Sequence, residues 1–214
     1  MKIKDIYMNK QKCVVSLCIA VLCIAITLVS FVFPDKYNAL AYAYPMRYPW
    51  QLFSGLFLHG APNLSQVGSV GHLLFNLFLV LPFGVMIEKI LGSKRFLIGT
   101  ICFWCTNILS FYVLAYMATP KGETAYGAGI SGVAFSYGII GLYILFKLYK
   151  ITKTKLLKQV SFYLLLNIIV IMLIMINPYV AGVQSMIIHI VAVVSGIIYT
   201  AVIHKTIDSY LENK

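Results

Sequence analysis

Six long apolar runs divide the chain, and nearly all of its charged residues fall in the segments between them. A helix that crosses a bilayer needs about 20 mostly apolar residues, and each run approaches or reaches that length. The pattern therefore predicts an all-α polytopic membrane protein with six transmembrane helices. The predicted spans are Val14–Phe33, Gly71–Ile87, Phe96–Met117, Ile130–Phe146, Val160–Ile176 and Gln184–His204.

The basic residues are distributed unevenly between the two sides of this predicted bundle. Fourteen of the 17 lie before the first span, between the second and third, between the fourth and fifth, or after the sixth. These segments alternate as one side of a membrane requires, and Lys and Arg favour the cytoplasmic side. Both termini are therefore predicted to be cytoplasmic. The basic residues of the other side are Lys36, Arg47 and Lys121.

This arrangement predicts one membrane domain with two short tails. Residues 1–12 and 205–214 are predicted to be cytoplasmic tails, and residues 13–204 to form the six-helix membrane domain. The first run is longer than the apolar part of a signal peptide, so we interpret it as a retained span. The outward connection 34–70 is long, aromatic and poor in charge, which favours a partly helical element lying in the outer leaflet.

The composition agrees with this class of protein and limits its partners. Hydrophobic residues make up 61% of the chain and charged residues 11%, against about a quarter in soluble domains. The topology and the anionic lipid of the bilayer account for the net charge of +11 without a nucleic-acid partner. Few acidic residues and short tails are typical of a bacterial plasma membrane protein. The five cysteines lie in apolar runs, where free thiols act as small hydrophobic residues.

Four polar side chains stand out near the predicted outer ends of spans two, four and six. His72 and Asn76 are four residues apart and share one face of the second span. Ser131 begins the fourth span within a glycine-rich segment, and His189 lies near the start of the sixth. Because these three spans run from outside to inside, the four residues are predicted to lie at a similar shallow depth. Polar groups inside spans are costly, which makes them candidates for function.

Small residues continue from Ser131 and His189 along the faces of their helices. Such stripes let membrane helices approach closely, so spans four and six are predicted to touch. That contact would permit a Ser131–His189 hydrogen bond. The stripes consist of Ala134, Gly138 and Gly141 in span four and Ala192, Gly196 and Thr200 in span six.

A serine beside an imidazole is the minimal arrangement for nucleophilic catalysis. His189 would remove the hydroxyl proton of Ser131, which is otherwise a poor nucleophile. Attack on a peptide carbonyl creates an oxyanion, for which the Asn76 amide, the His72 ring and the Ser131 backbone N–H are candidate donors. No Asp or Glu lies in the outer half of a predicted span, so we expect a Ser–His dyad without a carboxylate. The H-E-x-x-H zinc motif does not occur in the sequence.

At these residues the chain resembles the rhomboid family of intramembrane serine proteases. The resemblance runs from about Trp50 to Gly196, and it implies six helices around a water-filled cavity that opens outward. It implies cleavage of single-span membrane proteins near their outer ends, without a cofactor or a metal. Ser131 would be the nucleophile and His189 the base, with His72 and Asn76 stabilising the oxyanion. The similar segments are Gly129-Ile130-Ser131-Gly132 (G-x-S-G), His72-Leu73-Leu74-Phe75-Asn76 (H-x-x-x-N) and His189 in the last span.

The residues that support the dyad in that family are mostly retained. Gly129 and Gly132 would let the backbone approach a substrate closely. Phe135 stands where a tyrosine is common, and its ring can still stack on an imidazole. Two departures precede the second span: Trp50-Gln51 replaces a common W-R pair, and residues 61–70 resemble an insertion.

Two other functions compete with proteolysis as interpretations of this sequence. An inactive relative that binds or escorts membrane helices would be expected to lack Ser131 or His189, and both are present. A small transporter or channel would need broken central helices or charged residues at the midplane, and the sequence has neither. The resemblance implies single-span membrane proteins as partners, and the apolar runs imply the lipid bilayer.

Overall fold

The computed structural model describes residues 3–60, 66–175 and 182–212. Helices dominate these ranges, and two short strands join two of the connections. A 3-10 turn, Pro34–Lys36, follows the first long helix. The helices are α1 (Ile3–Tyr7), α2 (Val14–Val32), α3 (Tyr37–Leu40), α4 (Gln51–Phe57), α5 (Gln66–Leu91), α6 (Ser93–Ala118), α7 (Ser131–Thr152), α8 (Lys155–Met175) and α9 (Gly182–Glu212). The strands are β1 (Tyr42–Tyr44) and β2 (Ala125–Gly127).

Five of the described helices are long and apolar enough to cross a membrane, namely α2, α5, α6, α7 and α9. They correspond to predicted spans one to four and six. The fifth predicted span, Val160–Ile176, falls on α8 except for Ile176, which lies outside the described residues. Helix α9 continues to Glu212, because Ile207 and Leu211 extend its buried face into the core. Most of the predicted C-terminal tail is therefore helical.

Helix α7 is the centre of the bundle and contacts α5, α6, α8 and α9. Its apolar stretch is 67% buried within the protein, against 22–50% for the other four candidate spans. The outer helices keep apolar side chains on their outward faces, where lipid takes the place of protein. A residue on α7 can therefore meet side chains from several helices at once.

Helices α7 and α9 approach closely at Gly196. A Cβ atom added there would lie 3.0 Å from both the Cα atom and the carbonyl oxygen of Ser136. The Ser136 hydroxyl adds a bond between the helices, because it donates to the Ala192 carbonyl oxygen at 2.8 Å. The predicted contact between spans four and six is confirmed, and it is centred on Ser136 opposite Gly196.

Two glycines of the predicted stripe in span four face other neighbours. A Cβ atom added to Gly138 would meet Ile168 of α8 at 3.4 Å, and one added to Gly141 would overlap the Phe83 ring of α5. The prediction that these glycines face the sixth span is wrong. Because α7 is surrounded by other helices, its small residues allow a different helix to approach closely on each side.

We expect Gly196→Ala to destabilise the protein by about 1–3 kcal/mol, because the added methyl group must push α9 away from the backbone of Ser136. Gly71→Ala is the matched control, since no atom of the described residues lies within 4 Å of a Cβ atom placed there. Alanine is also a better helix former than glycine, so the control should be neutral or slightly stabilising. Thermal unfolding in detergent measures both variants, and equal midpoints would contradict the close approach.

The connection after α2 is held by a buried glutamine. Gln51 accepts hydrogen bonds from the backbone N–H groups of Arg47 and Tyr48, both at 3.0 Å. It donates to the Asn38 carbonyl oxygen at 2.9 Å, and its side chain has no exposed surface. One side chain thus fixes three points of the connection. The short helices α3 and α4 agree with the prediction of a partly helical element.

A small antiparallel sheet links this connection to the segment before α7. Strands β1 and β2 pair with Ala43 opposite Tyr126. This sheet was not predicted from the sequence, because strands of three residues are too short to reveal an alternating pattern. The pairing brings the connection after α2 beside the start of α7.

Glu88, near the opposite end of α5 from His72, is fully buried and binds the first turn of α2. Its carboxylate accepts from the backbone N–H groups of Val15 at 3.0 Å and Ser16 at 2.8 Å. The hydroxyls of Ser16 and Ser93 also donate to it, both at 2.6 Å. The first N–H groups of a helix have no partner within that helix, so Glu88 caps α2 from a neighbouring helix.

Candidate active site

The segment between β2 and α7 places Ser131 at the first residue of a helix. Gly129 has a φ of 118°, a conformation that glycine adopts without strain. Its N–H donates to the Gly55 carbonyl oxygen at 2.9 Å, which ties this turn to α4. Ser131 then begins α7, so its side chain lies beside N–H groups that have no partner within the helix.

The side chains of Ser131 and His189 are joined directly. The His189 Nε2 atom lies 2.7 Å from the Ser131 Oγ atom, and the Nδ1 atom lies 2.6 Å from the Ser185 carbonyl oxygen. Since a carbonyl oxygen can only accept, Nδ1 carries the proton and Nε2 accepts from the serine hydroxyl. Both side chains are buried. A backbone carbonyl thus takes the orienting place that a carboxylate holds in a catalytic triad.

Phe135 holds the imidazole from the next turn of α7. Its ring centroid lies 4.9 Å from that of His189, and the two planes meet at 62°. This edge-type contact is a favoured arrangement of aromatic rings, and Phe135 itself is fully buried. The predicted contact between Phe135 and an imidazole is therefore present, with the rings tilted rather than stacked face to face.

His72 approaches the same turn from α5. A Cβ atom added to Gly129 would lie 3.1 Å from the His72 Cε1 atom, so the imidazole packs against backbone two residues before Ser131. Asn76 is buried one turn further along α5, and its Nδ2 donates to the His72 carbonyl oxygen at 3.0 Å. The structure thus brings His72 to the serine turn, whereas Asn76 bonds to its own helix. The Asn76 Oδ1 atom has no hydrogen-bond partner among the described residues.

Asn107 of α6 is a buried amide beside Ser131, and its role was not predicted from the sequence. It is 8% exposed and lies against Gly132, where an added Cβ atom would overlap its side chain. Within the described ranges its Oδ1 atom has no hydrogen-bond partner. The available signal was a polar residue inside the third predicted span. Nothing in the sequence indicated that Asn107 in this span would lie beside Ser131.

His59, in the connection between α4 and α5, borders the site as well. Its ring centroid lies 5.2 Å from that of His72, and its Nδ1 lies 2.9 Å from the Phe57 carbonyl oxygen, to which it donates. Burial, and secondly the neighbouring His72, lowers the pKa of His59 from 6.5 to about 3. The ring is therefore neutral at physiological pH.

We expect His59 to make the fold less stable in acid. Because its pKa is depressed in the folded protein, the unfolded chain binds the proton first as the pH falls below 6.5. The contribution of His59 is complete above that pH and falls by about 2 kcal/mol by pH 5. His59→Asn cannot titrate there but keeps a donor for Phe57. Unfolding free energies of both proteins at pH 7 and pH 5 test this, and identical pH profiles would contradict it.

The family model of the Rhomboid domain matches residues 47–206. The matched range begins before α4, ends within α9 and contains all four predicted catalytic and oxyanion residues. None of the curated proteins matches the chain. Together with five helices suited to crossing a membrane, the match identifies an integral multi-pass membrane protein. Because the match extends over most of its length, the chain belongs to the rhomboid family.

Proposed function

We propose that this chain is an intramembrane serine endopeptidase that cleaves single-span membrane proteins near the outer face of the membrane. The observation that carries the proposal is the 2.7 Å contact between His189 Nε2 and Ser131 Oγ, with Nδ1 held by the Ser185 carbonyl. Two successive hydrogen bonds thus join the nucleophile to the base and the base to its orienting group, which is the arrangement that activates a serine.

The reaction would proceed through an acyl-enzyme. His189 takes the hydroxyl proton while Ser131 Oγ bonds to the substrate carbonyl carbon, and the carbonyl electron pair moves to oxygen. The imidazolium then gives this proton to the leaving amine as the C–N bond breaks. Water attacks the ester with the same imidazole as base, which releases the acid and restores Ser131. No cofactor and no metal takes part in these steps.

The start of α7 is the best candidate for stabilising the oxyanion. Its first N–H groups have no partner within the helix, and the helix dipole favours a negative charge there. The His72 ring packs against Gly129 in the same turn. Asn76 has a second amide hydrogen beside the one bonded to His72, so it can donate to the oxyanion after a side-chain rotation.

The proposal includes six transmembrane helices with both termini in the cytoplasm of a bacterial cell. Helix α8 would be the fifth span, and the basic turn between α7 and α8 would lie on the cytoplasmic side. Ser131 lies at the other end of α7 and would then be near the outer surface. Substrate helices would reach it from the surrounding bilayer.

Cleavage of a single-span test substrate in proteoliposomes tests the proposal. Wild type should cleave it and Ser131→Ala should not, because alanine has no nucleophilic atom. Ser195→Ala is the matched control, since that hydroxyl donates to the Val191 carbonyl of its own helix. A fluorophosphonate probe should label wild type and the control but not Ser131→Ala. Cleavage by the Ser131→Ala protein would refute the nucleophile.

The alternative is a catalytically inactive rhomboid protein that binds or escorts membrane helices. One observation favours it, which is that the Asn76 amide bonds to its own helix rather than at Ser131. This alternative gains support if wild type binds the test substrate without cleaving it and the fluorophosphonate probe leaves Ser131 unlabelled.

We expect Asn76→Ala to lower kcat by about 10²-fold with little change in KM, because an oxyanion donor acts in the transition state. Asn167→Ala is a matched control, since the Asn167 amide makes the same kind of bond, to the Tyr163 carbonyl one turn earlier in α8. Its kcat should equal that of wild type. Equal kcat values for all three proteins would exclude Asn76 from oxyanion stabilisation.

A further inference from the structure

An open pocket of about 520 Å³ lies at the turn between α7 and α8, far along α7 from Ser131. Helix α7 ends at Thr152 and α8 begins at Lys155, so the pocket is formed where the chain leaves one apolar helix and enters the next. The lining side chains that matter here are those of Tyr149, Lys153, Lys155, Lys158, Phe162 and Tyr163.

The lining of the pocket changes from basic to aromatic along the axis of α8. Lys155, Lys158, Phe162 and Tyr163 recur at the spacing of one helical face, with the lysines next to the turn and the aromatic rings one turn further. Lys155 and Phe162 are separated by about 10 Å along the axis. This separation is comparable with the depth of a lipid headgroup region, about 5–8 Å on each side of a bilayer.

The three lysines of the pocket lack acidic partners. No Asp or Glu occurs between Glu123 and Asp208 in the sequence, and Asp208 is bound by Lys147 at 2.6 Å and by the Tyr143 hydroxyl. Among the described residues, Lys153, Lys155 and Lys158 form no ion pair. Three neighbouring ammonium groups repel one another, so a bound anion would be stabilised strongly.

Helix stability does not explain these lysines. Lys155 and Lys158 lie in the first turn of α8, where the helix dipole disfavours a positive charge. The aromatic residues beside them remain exposed, Phe162 at 61% and Tyr163 at 59%. Exposed aromatic rings next to basic residues are typical of a helix end at the membrane interface.

We propose that this pocket binds the phosphate headgroup of an anionic phospholipid. The lysines contact the phosphate, and the acyl chains follow α8 past Phe162 and Tyr163. A soluble phosphate would use the lysines alone, whereas a lipid also uses the aromatic half of the pocket. Basic pockets between membrane helices on the cytoplasmic side are known to suit anionic headgroups. The proposal does not depend on proteolytic activity.

Native mass spectrometry of the purified full chain with phosphatidylglycerol or phosphatidylcholine of the same acyl chains tests this site. Wild type should retain phosphatidylglycerol about a hundredfold more strongly, because each of the three lysines contributes about 1 kcal/mol. Replacing the three pocket lysines with glutamine should remove that preference. The matched control removes the same charge from Lys10, Lys12 and Lys94, which are exposed and lie outside the pocket, and it should behave as wild type.

Equal losses in the pocket variant and the control would overturn the proposal, because general surface charge would then explain the binding. Binding of inorganic phosphate as tight as that of phosphatidylglycerol would overturn it as well, because the aromatic half of the pocket would then contribute nothing to affinity. Circular dichroism and gel filtration check that the variants fold. If the triple pocket variant aggregates, Lys155→Gln against Lys94→Gln makes the same comparison, with about a fivefold loss expected for the former alone.

Discussion

His189→Ala is expected to lower kcat for a single-span substrate by about 10³-fold or more while the protein remains folded. Without the imidazole, no base removes the proton from the Ser131 hydroxyl. No acid then donates a proton to the leaving amine. The matched control is His204→Ala in the same helix, whose Nδ1 also bonds to a backbone carbonyl, that of Ala201 at 2.7 Å. Single-turnover cleavage of both variants, with thermal unfolding as the check on folding, measures the effect.

The double variant Ser131→Ala/His189→Ala gives a sharper test of the same pair. Residues that act as a unit are not additive, so the double variant should be no slower than either single variant. Losses that multiply would mean that the two side chains act in separate steps. Such a result would contradict the dyad even if each single variant were inactive.

Glu88→Gln is expected to destabilise the protein by about 2–4 kcal/mol, the largest effect on stability that we predict. Glutamine has nearly the same shape but presents an NH₂ group to donors. Four donor groups now meet the carboxylate at 2.6–3.0 Å, one backbone N–H and one hydroxyl at each oxygen. The new NH₂ group would therefore face a backbone N–H that cannot accept, although the hydroxyl beside it can turn to accept. Part of the cap of α2 would be lost, which weakens the attachment of α2 to α5.

Glu123→Gln is the control for this substitution, because Glu123 is exposed in the connection before β2. Its unfolding midpoint should match that of wild type. Glu88→Gln should retain cleavage activity at low temperature, since Glu88 lies more than four helical turns from His72 along α5. Equal stability of Glu88→Gln and Glu123→Gln would contradict the capping of α2 by the Glu88 carboxylate.

The membrane helices were largely predictable from the sequence, because bilayer thickness imposes a length on every apolar run. The contact between Ser131 and His189 was also predictable, since both residues begin a span of the same direction and small residues follow them. His72 was predictable as a site residue as well, because it is a polar residue inside a predicted span. These predictions all rest on the length of apolar runs and the position of polar residues along the sequence. Both are restricted more strongly in a bilayer than in water, because lipid offers no hydrogen bonds.

Other features depend on which face of a helix meets which neighbour, and periodicity alone does not contain that information. Gly138 and Gly141 lie in a recognisable stripe, yet each faces a different helix. Asn107 lies beside the serine because of the packing of α6 against α7. The capping of α2 by Glu88 joins positions more than seventy residues apart. In each case the tertiary contact decides the role of the residue.

The orienting partner of His189 is an oxygen of the main chain, at Ser185. Point substitution cannot delete it, because any residue that keeps α9 helical supplies the same oxygen. A substitution at position 185 therefore leaves this hydrogen bond to the imidazole in place as long as α9 stays helical. An engineer who transfers this pair to another helical bundle needs to carry over two side chains only, because the helix that holds the base brings the third group with it.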